Sequence, residues 1–199
     1  RWSPRIQRED GLLRLVPGLG TRAVDRLADD YPVLLAPRQP QLRVNQTPDE
    51  VMRYSPRRVD LLDLEANDFC TRPLDEVLRE CGNRWPLVHR LLSRVDEDIL
   101  RPVSPLELDF RDGDYVVTFD GLIAQTDFVR RVALMLQVLE ETLGHPVDLE
   151  FAHDGTDFYL LQCRNQSFSA DSDPDVIPAD LPASQVLFSA RRYVSNGRA

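Results

Sequence analysis

The chain has 199 residues, 42% of them hydrophobic, enough for one medium-sized domain or two small lobes with a real core. A formal net charge of −9 argues against a general nucleic-acid binder, because phosphate backbones attract basic surfaces. All 24 basic residues are arginines, so any chemistry that needs a lysine must come from another part of the protein.

No apolar run is long enough to span a bilayer, and the N-terminus has no signal-peptide pattern, which gives the expectation of a cytoplasmic protein with no membrane partner. Arg1 is not an initiator residue, and the expectation is a segment of something longer. Cys70, Cys81 and Cys163 are odd in number and lack CxxC spacing, as inert thiols in a reducing compartment would be. His89, His145 and His153 are scattered, with no His/Cys cluster of zinc-binding spacing.

In chain order, the apolar run Gly11–Val16 leads into PGLGTR, where Pro17, Gly18 and Gly20 mark a tight turn, followed by helical spacing over Ala23–Ala28. Residues 31–60, rich in Pro and Arg, read as loop with short strands at Pro32–Ala36 and around Arg43–Asn45; VDLLDLE (59–65) reads as a strand. Pro73 opens a helix through Cys81, with Asp75 and Glu76 in its first turn and Gly82 stopping it. Leu87, Val88, Leu91, Leu92, Val95 and Ile99 recur at helical spacing and predict a core-facing helix from Pro86 to Leu100. LELDFRDGDYVVTFDG (106–121) alternates around Asp112-Gly113 and predicts a β-hairpin. Phe128–Leu143 carries the strongest helical stripe, with Gly144 beyond its end. After Ser167 the composition becomes polar and proline-rich, a linker over 169–199.

The stretch VDLEFAHDGTDFYLLQCRNQS (147–167) interrupts two strand-like runs with Asp148, Glu150, Gln162 and Arg164. A two-residue turn at Asp154-Gly155 would mix polar and apolar residues on both faces. A five-residue loop, Asp154–Phe158, instead pairs Glu150 with Gln162, Asp148 with Arg164 and Leu149 with Cys163. Val147, Leu149, Phe151, Tyr159, Leu161 and Cys163 then share one face, and the four polar residues share the other with Ala152 and Leu160. A three-residue loop keeps that division while sliding the partners by two. Opposed Cβ atoms lie roughly 5 Å apart, which lets a carboxylate and an amide oxygen reach one hard cation such as magnesium, with water and phosphate completing its shell. An arginine two residues along that face offers a planar fork to a phosphoryl oxygen. The plainer alternative is a surface ion pair, Asp148–Arg164, on a solvated face.

DLEF followed by YLLQCRN resembles the end of the nucleotide-binding domain of the phosphoenolpyruvate synthase and pyruvate phosphate dikinase family, which closes with D-[IL]-E-[FW], a short turn and L-[YQ]-x-L-Q-x-R. VPGLGTRAVDR (16–26) is similar to that family's glycine loop, and LFSARRYVSNG (187–197) to its lead-out towards a phosphohistidine domain. The resemblance implies an α+β fold, a partial ATP-grasp domain with antiparallel sheet and packed helices over residues 1–168, with a subgroup-specific insertion around 31–105. It also implies ATP and Mg2+ as cofactors, with Glu150 and Gln162 as metal ligands, Arg164 on the transferred phosphoryl groups, Asp148 in support, and Gly18, Gly20 and Arg22 near the nucleotide. Thr21 departs from the family's usual acidic residue, which puts a ribose or metal-water contact in doubt; Arg22 offers a phosphate contact instead. The lysine-bearing N-terminal lobe, the phosphohistidine domain and the pyruvate-binding barrel have no counterpart in this sequence. The expectation is therefore part of an ATP-dependent phosphotransferase, inactive alone. Open beside it stand a related dikinase with another acceptor and a diverged, non-catalytic nucleotide-binding or scaffolding module.

Overall fold

Leu13 and Leu15 point inward on either side of exposed Arg14, the alternation that makes a half-buried strand. That strand, β1 (Leu13–Leu15), pairs antiparallel with β2 (Val33–Ala36), and β2 with β3 (Gln39–Arg43), in a three-stranded sheet. The computed structural model describes residues 6–20, 30–97, 99–106 and 108–166. All but Gln166 belong to one compact unit, Arg1–Asn165. The helix expected at Ala23–Ala28, the residues Thr21 and Arg22, and the linker 169–199 lie outside the described residues.

Thr47 then caps α1 (Pro48–Arg53): its hydroxyl accepts from Glu50 N at 3.2 Å while the Glu50 carboxylate accepts from Thr47 N at 3.3 Å. This helix stands where loop was expected, although TPDE carries the capping-box signature. β4 (Arg58–Asp63) and β5 (Asp68–Pro73) form a hairpin of six regular pairs, of which only β4 was expected. α2 (Leu74–Cys81) follows as expected, burying Leu74, Val77 and Leu78.

The helix predicted over Pro86–Leu100 is not there. Only α3 (Val88–Leu91) is helical, after Leu87 at φ 55°; the chain then forms β6 (Leu92–Asp96) and turns at Glu97 (φ 54°) into β7 (Ile99–Pro102). Non-local pairing overrides the helical period: β6 lies between β7 and β8 (Tyr115–Val117), burying Leu92, and Ser93 Oγ meets Thr118 Oγ1 at 2.7 Å.

The same pairing removes the hairpin predicted at 106–121. Val117 pairs with Leu92, Val116 with Ser93 and Tyr115 with Arg94, so β6 takes the place that 106–111 was expected to fill. The Asp112-Gly113 turn exists, but it folds Asp109 back onto Tyr115: the phenol donates to Asp109 O at 3.0 Å and accepts from Asp109 N at 3.2 Å.

α4 (Asp120–Gln125) and α5 (Phe128–Leu143) lead to the last hairpin, β9 (Val147–His153) and β10 (Phe158–Asn165). α5 has the predicted bounds, and Gly144, at φ 75°, closes it with its N–H on Glu140 O at 2.9 Å. One core joins these parts. Leu13, Leu15, Leu35, Val59, Val77, Val88, Leu92, Val117, Phe128 and Val132 are buried in it. Arg38 ties the β2–β3 turn to α5 through Glu140 at 2.6 Å. The architecture is mixed α and β, with antiparallel sheets and few helices among the described residues.

Candidate nucleotide site on the last hairpin

The last hairpin is held from behind by aromatic packing. Phe128, at the start of α5, stacks on Phe158 with centroids 5.4 Å apart, and His153 closes edge-on to Phe158 at 4.5 Å. Phe151 tilts against Phe128 at 6.1 Å. Buried aromatic groups packed in this way stabilise more than their area alone.

The loop is fixed by its own polar groups. Asp154 Oδ1 accepts from Thr156 N and Asp157 N, both at 2.9 Å, and Oδ2 accepts from the Tyr159 hydroxyl at 2.8 Å. These three donors lower the Asp154 carboxyl to about 2, and the same carboxylate raises the Tyr159 phenol. His153 Nδ1 accepts from Gly155 N at 3.1 Å, and burial holds the imidazole below its ordinary value. Gly155 has φ +104°, and an added Cβ would meet Leu87 Cδ1 at 2.9 Å.

The register pairs Glu150 with Gln162, Leu149 with Cys163 and Asp148 with Arg164. These are the three pairings expected from the binary pattern, reached by a different route. The loop holds four residues, Asp154–Asp157, and His153 pairs with Phe158. A bulge between Leu160 and Gln162 takes up the surplus residue, Leu161.

The bulge corrects the expected faces near the loop. By the ladder Phe158 and Leu160 share a face with His153 and Phe151, although Leu160 itself is 52% exposed, while Tyr159, opposite Ala152, shares the other face with the four polar residues. Leu161 leaves the ladder and is 67% exposed.

On the outer face, Arg164 donates to Asp148 Oδ2 from Nε at 3.0 Å and from a terminal nitrogen at 2.7 Å. Asp148 thereby raises the guanidinium above its ordinary value. Both side chains are about half exposed, so an incoming anion reaches the guanidinium without unfolding anything. One pair along, the Gln162 amide faces Glu150, with its nearer atom 3.2 and 3.3 Å from the two carboxylate oxygens. With nitrogen in that place the amide donates to the carboxylate. Turned over, it brings its oxygen beside the two carboxylate oxygens, the convergence of oxygens that a hard cation requires. The pair thus fits a magnesium ion with two protein ligands, the remainder coming from water and phosphate. Among the described residues no group of three or more His, Cys, Asp or Glu side chains is arranged around one ion.

The glycine loop docks on β4. Gly18, at φ +78°, forms a parallel bridge to Asp60, and Leu19 N donates to Asp60 O at 3.0 Å. A Cβ at Gly18 would lie 2.5 Å from Asp60 O, so close docking on β4 by itself accounts for that glycine. Gly20, at φ +73°, turns the chain beside Val16. No hydrogen bond, ion pair or strand pairing seen among the described residues joins this loop directly to the last hairpin.

The sequence reading missed Phe158 and Tyr159 as working parts of the hairpin. The available signal was the local chemistry of Asp154, whose turn-forming side chain favours a loop ending at Asp157 and so demands a bulge further on.

No helix among the described residues is long and apolar enough to cross a membrane. Comparison with curated proteins and with solved structures gives no match. The family described as "Pyruvate phosphate dikinase, AMP/ATP-binding domain" matches over residues 4–184, nearly the whole chain. The chain belongs to that family, as an AMP/ATP-binding domain of a dikinase-type phosphotransferase.

Proposed function

We propose that the outer face of the last hairpin is the magnesium-and-phosphate floor of an ATP-grasp site in a phosphoenolpyruvate-synthase-like protein. The observation that carries this reading is the register that sets Glu150 against Gln162 and Arg164 one pair further on the same face. Glu150 and Gln162 hold Mg2+, and Arg164 leaves Asp148 to meet the transferred phosphoryl groups. Asp148 keeps the guanidinium aimed in the nucleotide's absence. Gly18 and Gly20 shape a loop near the nucleotide, Arg22 serves a phosphate contact in place of the family's acidic residue, and residues 31–105 are a subgroup-specific elaboration.

Positioning and charge neutralisation provide most of the catalysis in phosphoryl transfer, which suits a carboxylate, an amide and an arginine with no nucleophile among them. The nucleophile is a histidine on a mobile phosphohistidine domain of the same cytoplasmic protein, which passes phosphate to pyruvate or a related acceptor. A separate N-terminal lobe closes over the site and supplies the lysine. In the full-length protein, Glu150→Ala and Arg164→Ala should each abolish labelling of that histidine by ATP and magnesium. Near-normal labelling would overturn these roles.

A further inference from the structure

Tyr159 is the one aromatic side chain on the outer face of the last hairpin. It stands opposite Ala152, the next pair on that face after Glu150–Gln162, with Phe151–Leu160 between them in the ladder. Like Ala152 it is exposed, with 48% of its surface open. Its hydroxyl is tied to Asp154 Oδ2 at 2.8 Å, and Asp154 is itself fixed by two backbone donors. The ring is therefore tethered at its hydroxyl and about half open to solvent.

A singly exposed aromatic side chain is ordinary on a protein surface and by itself marks nothing. This one is placed by a specific irregularity. Without the surplus residue at Leu161, a ladder that pairs Glu150 with Gln162 would pair His153 with Tyr159 and turn the ring inward. The bulge keeps Glu150, Gln162 and Tyr159 on one face. Two residues along a strand span about 7 Å, and the tether leans the ring away from the metal pair, towards the loop. A nucleotide whose phosphates sit on Glu150, Gln162 and Arg164 extends its nucleoside by a comparable reach. Raising of the phenol by Asp154 keeps the hydroxyl protonated, so the tether persists through the neutral range.

We infer that Tyr159 is a binding residue for the nucleoside end of the nucleotide, its ring offering a stacking platform to the base or the sugar. This rests on the reading of the hairpin as the phosphate floor. Aromatic–base stacking accepts any base, so Tyr159 adds affinity for nucleosides as a class without choosing among them.

The test uses the full-length protein and two probes, ATP and inorganic tripolyphosphate, each with magnesium, titrated calorimetrically. Tyr159→Ala should weaken ATP binding by roughly tenfold or more while leaving tripolyphosphate unchanged. Tyr159→Phe, which keeps the ring and loses the tether, should restore most of the ATP affinity. Glu150→Ala should weaken both probes. If Tyr159→Ala leaves ATP binding unchanged, or weakens both probes alike, the inference is wrong while the phosphate floor stands. If the unaltered protein binds neither probe, the floor itself falls, and the inference with it.

Discussion

Two hairpins of similar size, β4–β5 and β9–β10, handle polar residues in opposite ways. In the first, the inward polar group is Asp60, 3% exposed; its carboxylate takes the Thr71 hydroxyl at 2.7 Å and its carbonyl takes Leu19 N. That polar chemistry is occupied by the fold. In the second, Asp148, Glu150, Gln162 and Arg164 meet one another across an open face, in a register that a bulge sets and on a hairpin that packing holds from behind. Groups that the fold occupies stabilise it, and groups left to each other on a surface remain exchangeable for a ligand. A sharp version of this comparison separates variants that unfold the protein from variants that disarm it.

The largest effect should come from the back of the second hairpin. Phe128 is 3% exposed and touches Phe151, His153 and Phe158, so Phe128→Ala removes the packing that orients the whole polar row. Stability should fall by about 3–5 kcal/mol in urea unfolding. A loss near zero would mean that the row is not held from behind.

On the first hairpin, Gly18→Ala should cost about 2–3 kcal/mol. The new Cβ meets Asp60 O at 2.5 Å and Val59 Cγ1 at 2.7 Å, in a backbone conformation at φ +78° that already disfavours alanine. The same unfolding measurement checks it. If Gly18→Ala instead unfolds normally and loses nucleotide binding alone, the glycine loop belongs with the second hairpin's kind of chemistry and not with the first's.

Legibility in the sequence differs from element to element. The stripe from Phe128 to Leu143 and the stop at Gly144 are local properties, and the helix follows them. The pairing of Glu150 with Gln162 also follows from sorting polar from apolar residues across two neighbouring strands. Leu92–Asp96 pairs on one side with Ile99–Pro102 across the turn at Glu97 and on the other with Tyr115–Val117, some twenty residues away, and helical spacing within one segment reports neither pairing. The bulge at Leu161 was invisible for a related reason. It is set by the loop at one end and the polar row at the other, and neither end alone has a residue to spare. Tyr159 therefore fell on the wrong face of the expected hairpin, although its neighbours in the site were found.

The smallest effect on stability decides the comparison. Asp148→Asn removes the charge that orders Arg164, at a pair whose side chains are 46% and 59% exposed. Exposed pairs of this kind contribute little, since water solvates the separated groups nearly as well and salt screens the attraction. The urea midpoint should stay where it is. Binding should not: without its partner the guanidinium loses the orientation that presents its fork, and magnesium-ATP affinity in the full-length protein should fall by about tenfold, the lower end of what loss of an orienting partner costs at a metal ligand. A variant that unfolds earlier and binds normally would place Asp148 with Asp60, among residues that the fold occupies. An unmoved midpoint with weakened binding would set the second hairpin apart as a surface organised for a ligand.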